Sequence, residues 1–159
     1  MEAVAVLSSN AVYGYVLFRQ EDEYVSIEVD LFKMNKSSGK PLIGLHGFHI
    51  HASGDLRRGC DSCCKHYNPE GVDHGGLENG HAGDLGNLEF DEKGNCKQTL
   101  RCFKFKVIDI VGRSVIVHEK EDDLGLGTGE NAEESRKTGN SKKRIACGVI
   151  GYAESTCEK

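Results

Sequence analysis

The segment from His46 to Asp84 constrains the fold of this chain more than any other. It holds six of the seven histidines, with GLHGFHIH over residues 44–51 near its start and HAGDLGN over residues 81–87 at its end. From Ala52 to Gly86, roughly thirty-five residues show neither strand nor helix periodicity, far beyond an ordinary connection, which marks a functional segment. Such a stretch, rich in glycine and poor in apolar side chains, is ordered by bound ligands rather than by its own packing. The seventh histidine, His118, ends a distant apolar run, SVIVH. The rest of the chain must therefore bring His118 back to the others.

The scaffold that does this reads as β-structure. EAVAVL (2–7) and VYGYVLFR (12–19) are short, apolar and β-branched. YVSIEVDLF (24–32) alternates, so that Val25, Ile27, Val29 and Leu31 share one face. Asn35 to Pro41 has the composition of a turn, and Leu42 to Ile50 resumes the apolar pattern. Strands are expected again over Asn87–Phe90 and Gln98–Ile110, joined by a hairpin around Glu92–Asn95, then over Ser114–His118 and Ile145–Tyr152. Glu119–Arg144 reads as a second long loop, and no segment reads as an amphipathic helix. Eight short strands with two long functional loops predict an all-β sandwich or barrel within one domain, residues 1–159.

Composition narrows the function. A formal net charge of −5 argues against a nucleic-acid partner, which requires clustered Lys and Arg, while leaving room for a local positive funnel that attracts a small anion. No apolar run approaches the ~18 residues of a membrane span, and MEAVAVLSSN lacks the pattern of a secretory leader, so a cytoplasmic protein is expected. In that compartment, most of the seven cysteines should be free thiols or metal ligands.

His49 and His51 are two apart on an expected strand, so both side chains leave one face and can converge on one ion. His46 has the opposite parity and reads as a hydrogen-bonded core histidine. Adding His66, His74, His81 and Asp84 brings imidazoles, which suit copper, zinc, iron or nickel, together with a mixed histidine and carboxylate set suited to zinc, which permits two different ions.

The succession GFHIH, GC, HYNP, HGG, HAGDLGN, VHEKEDDLG and RIACGVIG, from residue 44 to residue 152, resembles the copper/zinc superoxide dismutases. That resemblance implies an eight-stranded Greek-key β-barrel, usually a homodimer, with one copper and one zinc per subunit and superoxide as substrate. It implies copper ligands at His49, His51, His66 and His118, and zinc ligands at His66, His74, His81 and Asp84. His66 then bridges the two ions and carries a proton in catalysis. The resemblance also assigns Asp122 to the hydrogen bonds that orient His49 and His74, and Arg144 to the guidance of the anion. Glu133, Glu134, Lys137 and Thr138 fall in the loop that shapes the field over the channel. Cys60 and Cys147 match the intrasubunit disulfide. Ser53–Leu56, Val111–Gly112 and Gly148–Ile150 match the dimer contact, and a copper chaperone is an implied partner. Cys63, Cys64 and Lys65 depart from the family's small-residue run before the bridging histidine, and Cys96, Cys102 and Cys157 match no family role.

Two other readings compete. One is a non-enzymatic relative that uses the same scaffold for metal binding or copper delivery, whose mark would be missing copper ligands. The other is a structural zinc site built on Cys60, Cys63, Cys64 and His66.

Overall fold

The computed structural model describes residues 1–34 and 41–157. It contains ten strands: β1 (Glu2–Ser8), β2 (Val12–Gln20), β3 (Val25–Lys33), β4 (Gly44–His51), β5 (Arg57–Cys60), β6 (Asp84–Phe90), β7 (Cys96–Cys102), β8 (Ser114–His118), β9 (Arg144–Val149) and β10 (Gly151–Tyr152). Nine of them form two antiparallel sheets, one of five strands in the order β10-β1-β2-β3-β7 and one of four in the order β6-β4-β8-β9. The chain is thus almost entirely β, as expected, with β5 added in the first long loop and the strand expected over Ile145–Tyr152 divided at Ile150 into β9 and β10, which join different sheets. The turn expected over Asn35–Pro41 lies, except for Pro41, outside the described residues.

Strict alternation builds the five-stranded sheet. Ala3, Ala5 and Leu7 of β1, Val12, Val16 and Phe18 of β2, and Val25, Ile27, Val29 and Leu31 of β3 all point into the core. Phe48, Ile50, Leu88, Val115, Val117 and Ala146 meet them from the four-stranded sheet. Full burial of each Val, Leu, Ile or Phe side chain among them stabilises the fold by about 1.5–3 kcal/mol.

Three expectations are corrected. The turn at Asp91–Asn95 does form, with Asp91 N–H donating to Asn95 O at 2.8 Å, but it is no hairpin: β6 pairs with β4 and β7 with β3, so it carries the chain from one sheet to the other. The strand expected to run to Ile110 stops at Cys102 and gives way to a short helix, α1 (Val107–Ile110), opened by a capping box in which the Asp109 carboxylate accepts from Lys106 N–H at 2.8 Å. The second long loop is not structureless, since it holds α2 (Ala132–Thr138); a further turn of helix, α3 (Glu154–Cys157), follows β10. No helix among the described residues is long and apolar enough to cross a membrane.

Candidate metal centre

The site is assembled on the four-stranded sheet. β4 and β8 pair side by side, with Phe48 opposite Val117 and His49 opposite Ile116, while the β4–β6 ladder is irregular between Gly47 and His49 and the β8–β9 ladder between Val117 and His118. Bulges of this kind re-aim side chains. His66 arrives from the loop by backbone stitching: Ala52 N–H donates to Lys65 O at 2.9 Å, Tyr67 N–H to Ile50 O at 2.8 Å and Gly83 N–H to Tyr67 O at 2.8 Å. His46 does turn away, its ring nitrogens set against the carbonyls of His118 (2.9 Å) and Ile43 (3.2 Å).

Two groups of buried donors result. Ligand atoms of His49, His51, His66 and His118 all lie within 4.8 Å of one another. The His66 ring centroid lies 4.0 Å from that of His49 and 4.9 Å from that of His51. On the other side of His66, its Nδ1 is 3.0 Å from Asp84 Oδ1 and 3.2 Å from His81 Nδ1, while His81 Nδ1 is 3.2 Å from Asp84 Oδ1 and His74 Nδ1 is 3.0 Å from Asp84 Oδ2. His49 also lies within 4.8 Å of His66, His74 and Asp84. Its Nε2, however, is bound to Asp122 and its Nδ1 faces the all-histidine group. The structure brings together the four histidines of the first expected set, and on the other side of His66 it gathers His74, His81 and Asp84.

Asp122 lies between the groups, fully enclosed, with Oδ2 at 2.5 Å from His49 Nε2 and Oδ1 at 2.7 Å from His74 Nε2. Asn87 holds it in place, its Oδ1 accepting from Asp122 N–H at 2.7 Å and its Nδ2 donating to Asp122 O at 3.0 Å. Because Asp122 takes Nε2 of both rings, it leaves Nδ1 of each facing inward.

Four of those inward nitrogens decide whether the residues fit metal ions. His49 Nδ1, His51 Nε2, His74 Nδ1 and His118 Nε2 are buried without a hydrogen-bond partner. Leaving a buried polar atom unpaired costs about 1–3 kcal/mol, so three in the all-histidine group and a fourth, His74 Nδ1, on the other side of His66 call for ligands. His74 Nδ1 is close to Asp84 yet not aligned to hydrogen-bond with it, as expected of two donors aimed at a common point. An all-imidazole group can take copper or zinc, and imidazoles with one carboxylate suit zinc, so the residues fit one ion of each kind.

The electrostatics agree. Burial, the neighbouring His66 and, further down, the charge of Arg144 push the His51 imidazole down to about 2; burial also takes His118 down to about 4. Both rings are thus neutral and ready to ligate. Burial alone would raise Asp84, but the hydrogen bond from His66 and the close His74 and His81 rings outweigh it and hold the carboxyl far below its ordinary range. For His74, burial is outweighed by the hydrogen bond to Asp122 and the nearby Asp84 carboxylate, which lift it to about 9.

Above the histidines opens a cavity of about 1000 Å³ whose wall carries Lys65, Arg136, Lys137, Lys142 and Arg144 against only two carboxylates, Asp73 and Glu134. Arg144 is fixed there by hydrogen bonds from Nη1 to Cys60 O at 2.8 Å and from Nη2 to Cys64 O at 2.5 Å. Glu134 and Thr138 line the cavity and Lys137 joins them, whereas Glu133 stands off the wall, paired with Lys137 at 2.7 Å. Arg136 and Lys142 were not singled out in the sequence, where they sit in a mixed-charge run with nothing to distinguish them.

Cys60 and Cys147 form the expected disulfide. The cysteine-based zinc site does not assemble, because Cys60 is consumed in that bond, the Cys63 sulfur points to Asp55 O and Cys64 is exposed. Lys104 carries no mark in the sequence that singles it out as part of this region. Its ammonium donates to the carbonyls of Gly76, Asn79, His81 and Asp84. In the sequence it is only a cation interrupting the apolar run FKFKV.

Residues 12–150 match the family description "Copper/zinc superoxide dismutase (SODC)". The chain is 45% identical to a "Superoxide dismutase [Cu-Zn]" of Paramecium bursaria Chlorella virus 1, over 97% of this chain and 80% of the relative. It is 47% identical to an "Extracellular superoxide dismutase [Cu-Zn]" of Drosophila melanogaster, over 88% of this chain and 76% of the relative. The crystal structure of the clock protein EA4 superposes with a TM-score of 0.85 at 39% identity, covering 96% of this chain and 94% of the other.

Proposed function

The chain belongs to the copper/zinc superoxide dismutase family, and from that premise we propose that His49, His51, His66 and His118 hold the copper while His66, His74, His81 and Asp84 hold the zinc. The protein is an oxidoreductase that disproportionates superoxide: two superoxide anions and two protons give one dioxygen and one hydrogen peroxide. The assignment of ligands rests above all on the four unpartnered ring nitrogens turned inward around His66. When bound, copper supplies a one-electron couple and zinc supplies charge without redox chemistry.

The chain's own groups do the rest. Arg144, whose guanidinium keeps its charge at any physiological pH, orients the anion at the cavity wall. His66 carries a proton for the product at Nε2, since Nδ1 is engaged among the second set of donors. Asp122 fixes the orientation of His49 and His74. Glu134, Lys137 and Thr138, with Glu133 acting through its ion pair to Lys137, tune the field along the approach. Residues 1–159 act as one functional unit.

The assembly we infer is a homodimer. Its support is the meeting of three segments on one face: a side chain on Gly54 would reach 2.3 Å from Gly112 O and 3.2 Å from Val149, Gly112 N–H donates to Ile150 O at 2.8 Å, and Leu56 and Val149 are left exposed. The compartment we infer is the cytoplasm, because five cysteines are free beside the single disulfide. Copper delivery by a chaperone fits such a setting.

Metal content measured together with superoxide consumption, before and after copper addition, tests the whole reading. Full activity is expected only with copper bound. A copper-replete protein that leaves superoxide untouched would overturn it.

A further inference from the structure

The loop between His74 and Asp84 has almost no apolar packing of its own, yet its main chain closes around two opposite charges. On the inside, Asp84 Oδ2 accepts the N–H groups of Gly75 at 3.0 Å and His81 at 2.8 Å. On the outside, Lys104 Nζ lies 2.9 Å from Gly76 O, 3.0 Å from Asn79 O, 2.8 Å from His81 O and 2.6 Å from Asp84 O. Four carbonyl dipoles converging on one point repel one another unless a cation stands there. An ammonium has three N–H bonds, so one of them is shared and the contact is mainly one of charge with oxygen lone pairs.

Two of the four carbonyls belong to His81 and Asp84 themselves. Holding a residue's carbonyl holds the peptide plane that follows it and so narrows the directions in which its side chain can leave. We propose that Lys104 is a positioning residue for the second metal site: its ammonium, anchored just beyond β7 in the opposite sheet, holds residues 76–84 in their ion-binding shape before any ion arrives. The role rests on the reading of His66, His74, His81 and Asp84 as the zinc ligands. It assigns to one side chain the ordering that the composition of the loop had suggested must come from a bound ligand.

The test compares wild type with Lys104→Met in two measurements. The first is the rate at which zinc passes from the fully metallated protein to a colorimetric chelator. The second is deuterium uptake of the metal-free protein. Zinc release at least about tenfold faster is expected, in line with the loss of an outer partner of a metal site, together with faster exchange confined to residues 74–86 and unchanged exchange in β1 to β3. Unaltered zinc release would overturn the role of Lys104. Equal loss of protection in every strand would also overturn it, by showing a general stabiliser. Absence of zinc from the wild type would overturn both this role and the site itself. If Lys104→Met does not fold, Lys104→Gln, which keeps a donor without the charge, is put through the same comparison.

Discussion

Arg144 shows how a single side chain is made into a fixed charge. Its two terminal nitrogens are tied to the carbonyls of Cys60 and Cys64, so the guanidinium stands at the cavity wall at little further entropic cost. Arg144→Gln keeps a hydrogen-bonding head and loses the charge. The superoxide rate is expected to fall at least about tenfold at low salt, with a weaker decline as salt is added, because steering by charge contributes factors of ~10–10³ and is screened. Stopped-flow rates against ionic strength check this; an unchanged rate with unchanged salt dependence would exclude steering. Some residues were legible in the sequence for local reasons. The HxH pair at His49 and His51 follows from strand parity alone. Asp122 was not legible in that way: within KEDD nothing separates it from its neighbours, and only the family resemblance singled it out. Lys104 and Arg136 were missed because their partners are carbonyls and a cavity, neither of which leaves a mark in the sequence.

Among the elements, α2 is the one whose end bears on the metal centre. Gly139 caps it in the left-handed conformation, φ 73°, and a side chain there would come within 2.0 Å of Asp122 Oδ1 and 2.5 Å of His74 Nε2. Gly139→Ala therefore adds to the ~1 kcal/mol backbone cost of a left-handed alanine a displacement of the carboxylate that orients two ligands. Gly129, at φ +61°, has nothing within 4 Å and isolates the backbone cost. Gly139→Ala should weaken zinc binding about tenfold or more, whereas Gly129→Ala should leave it unchanged. Competition titration with a chelator measures both, and equal affinities for the two variants would rule out the steric link to Asp122. Elements were legible where alternation was long, as in Val25–Leu31. The turn at Asp91–Asn95 has hairpin chemistry, but turn chemistry is local and does not say which sheet the outgoing strand joins. α2 is too short for helical periodicity to show.

For the whole molecule, the buried histidines set the pH response of the metal-free form. His49, His51, His66 and His118 are all pushed down by burial, His118 to about 4, while each titrates near 6.5 when unfolded. As pH falls from 6.5 towards 4 the unfolded chain takes up protons that the folded chain refuses, and stability drops. His74 works in the other direction: lifted to about 9, it stabilises the fold fully below 6.5, and that contribution is lost as pH rises through 9. Urea midpoints of the metal-free protein should therefore peak near pH 6.5, and a monotonic rise to pH 9 would contradict this. The Cys60–Cys147 bond spans 87 residues, worth about 4.5 kcal/mol of chain entropy. Against the oxidised wild type, Cys147→Ser should lower unfolding stability by an amount of that order, read from the same midpoints, and against the reduced wild type the difference should vanish. The two-sheet class was legible from the number and spacing of strands. The positive cavity on a chain of net charge −5 was not, because it gathers residues from distant loops. With copper and zinc held as proposed, both ligand sets share the imidazole of His66, so the two metal sites would form a single coupled equilibrium. By linkage, whatever factor occupancy of the first changes in the affinity of the second, occupancy of the second must change in the first, and the fully loaded protein has the same free energy whichever ion enters first.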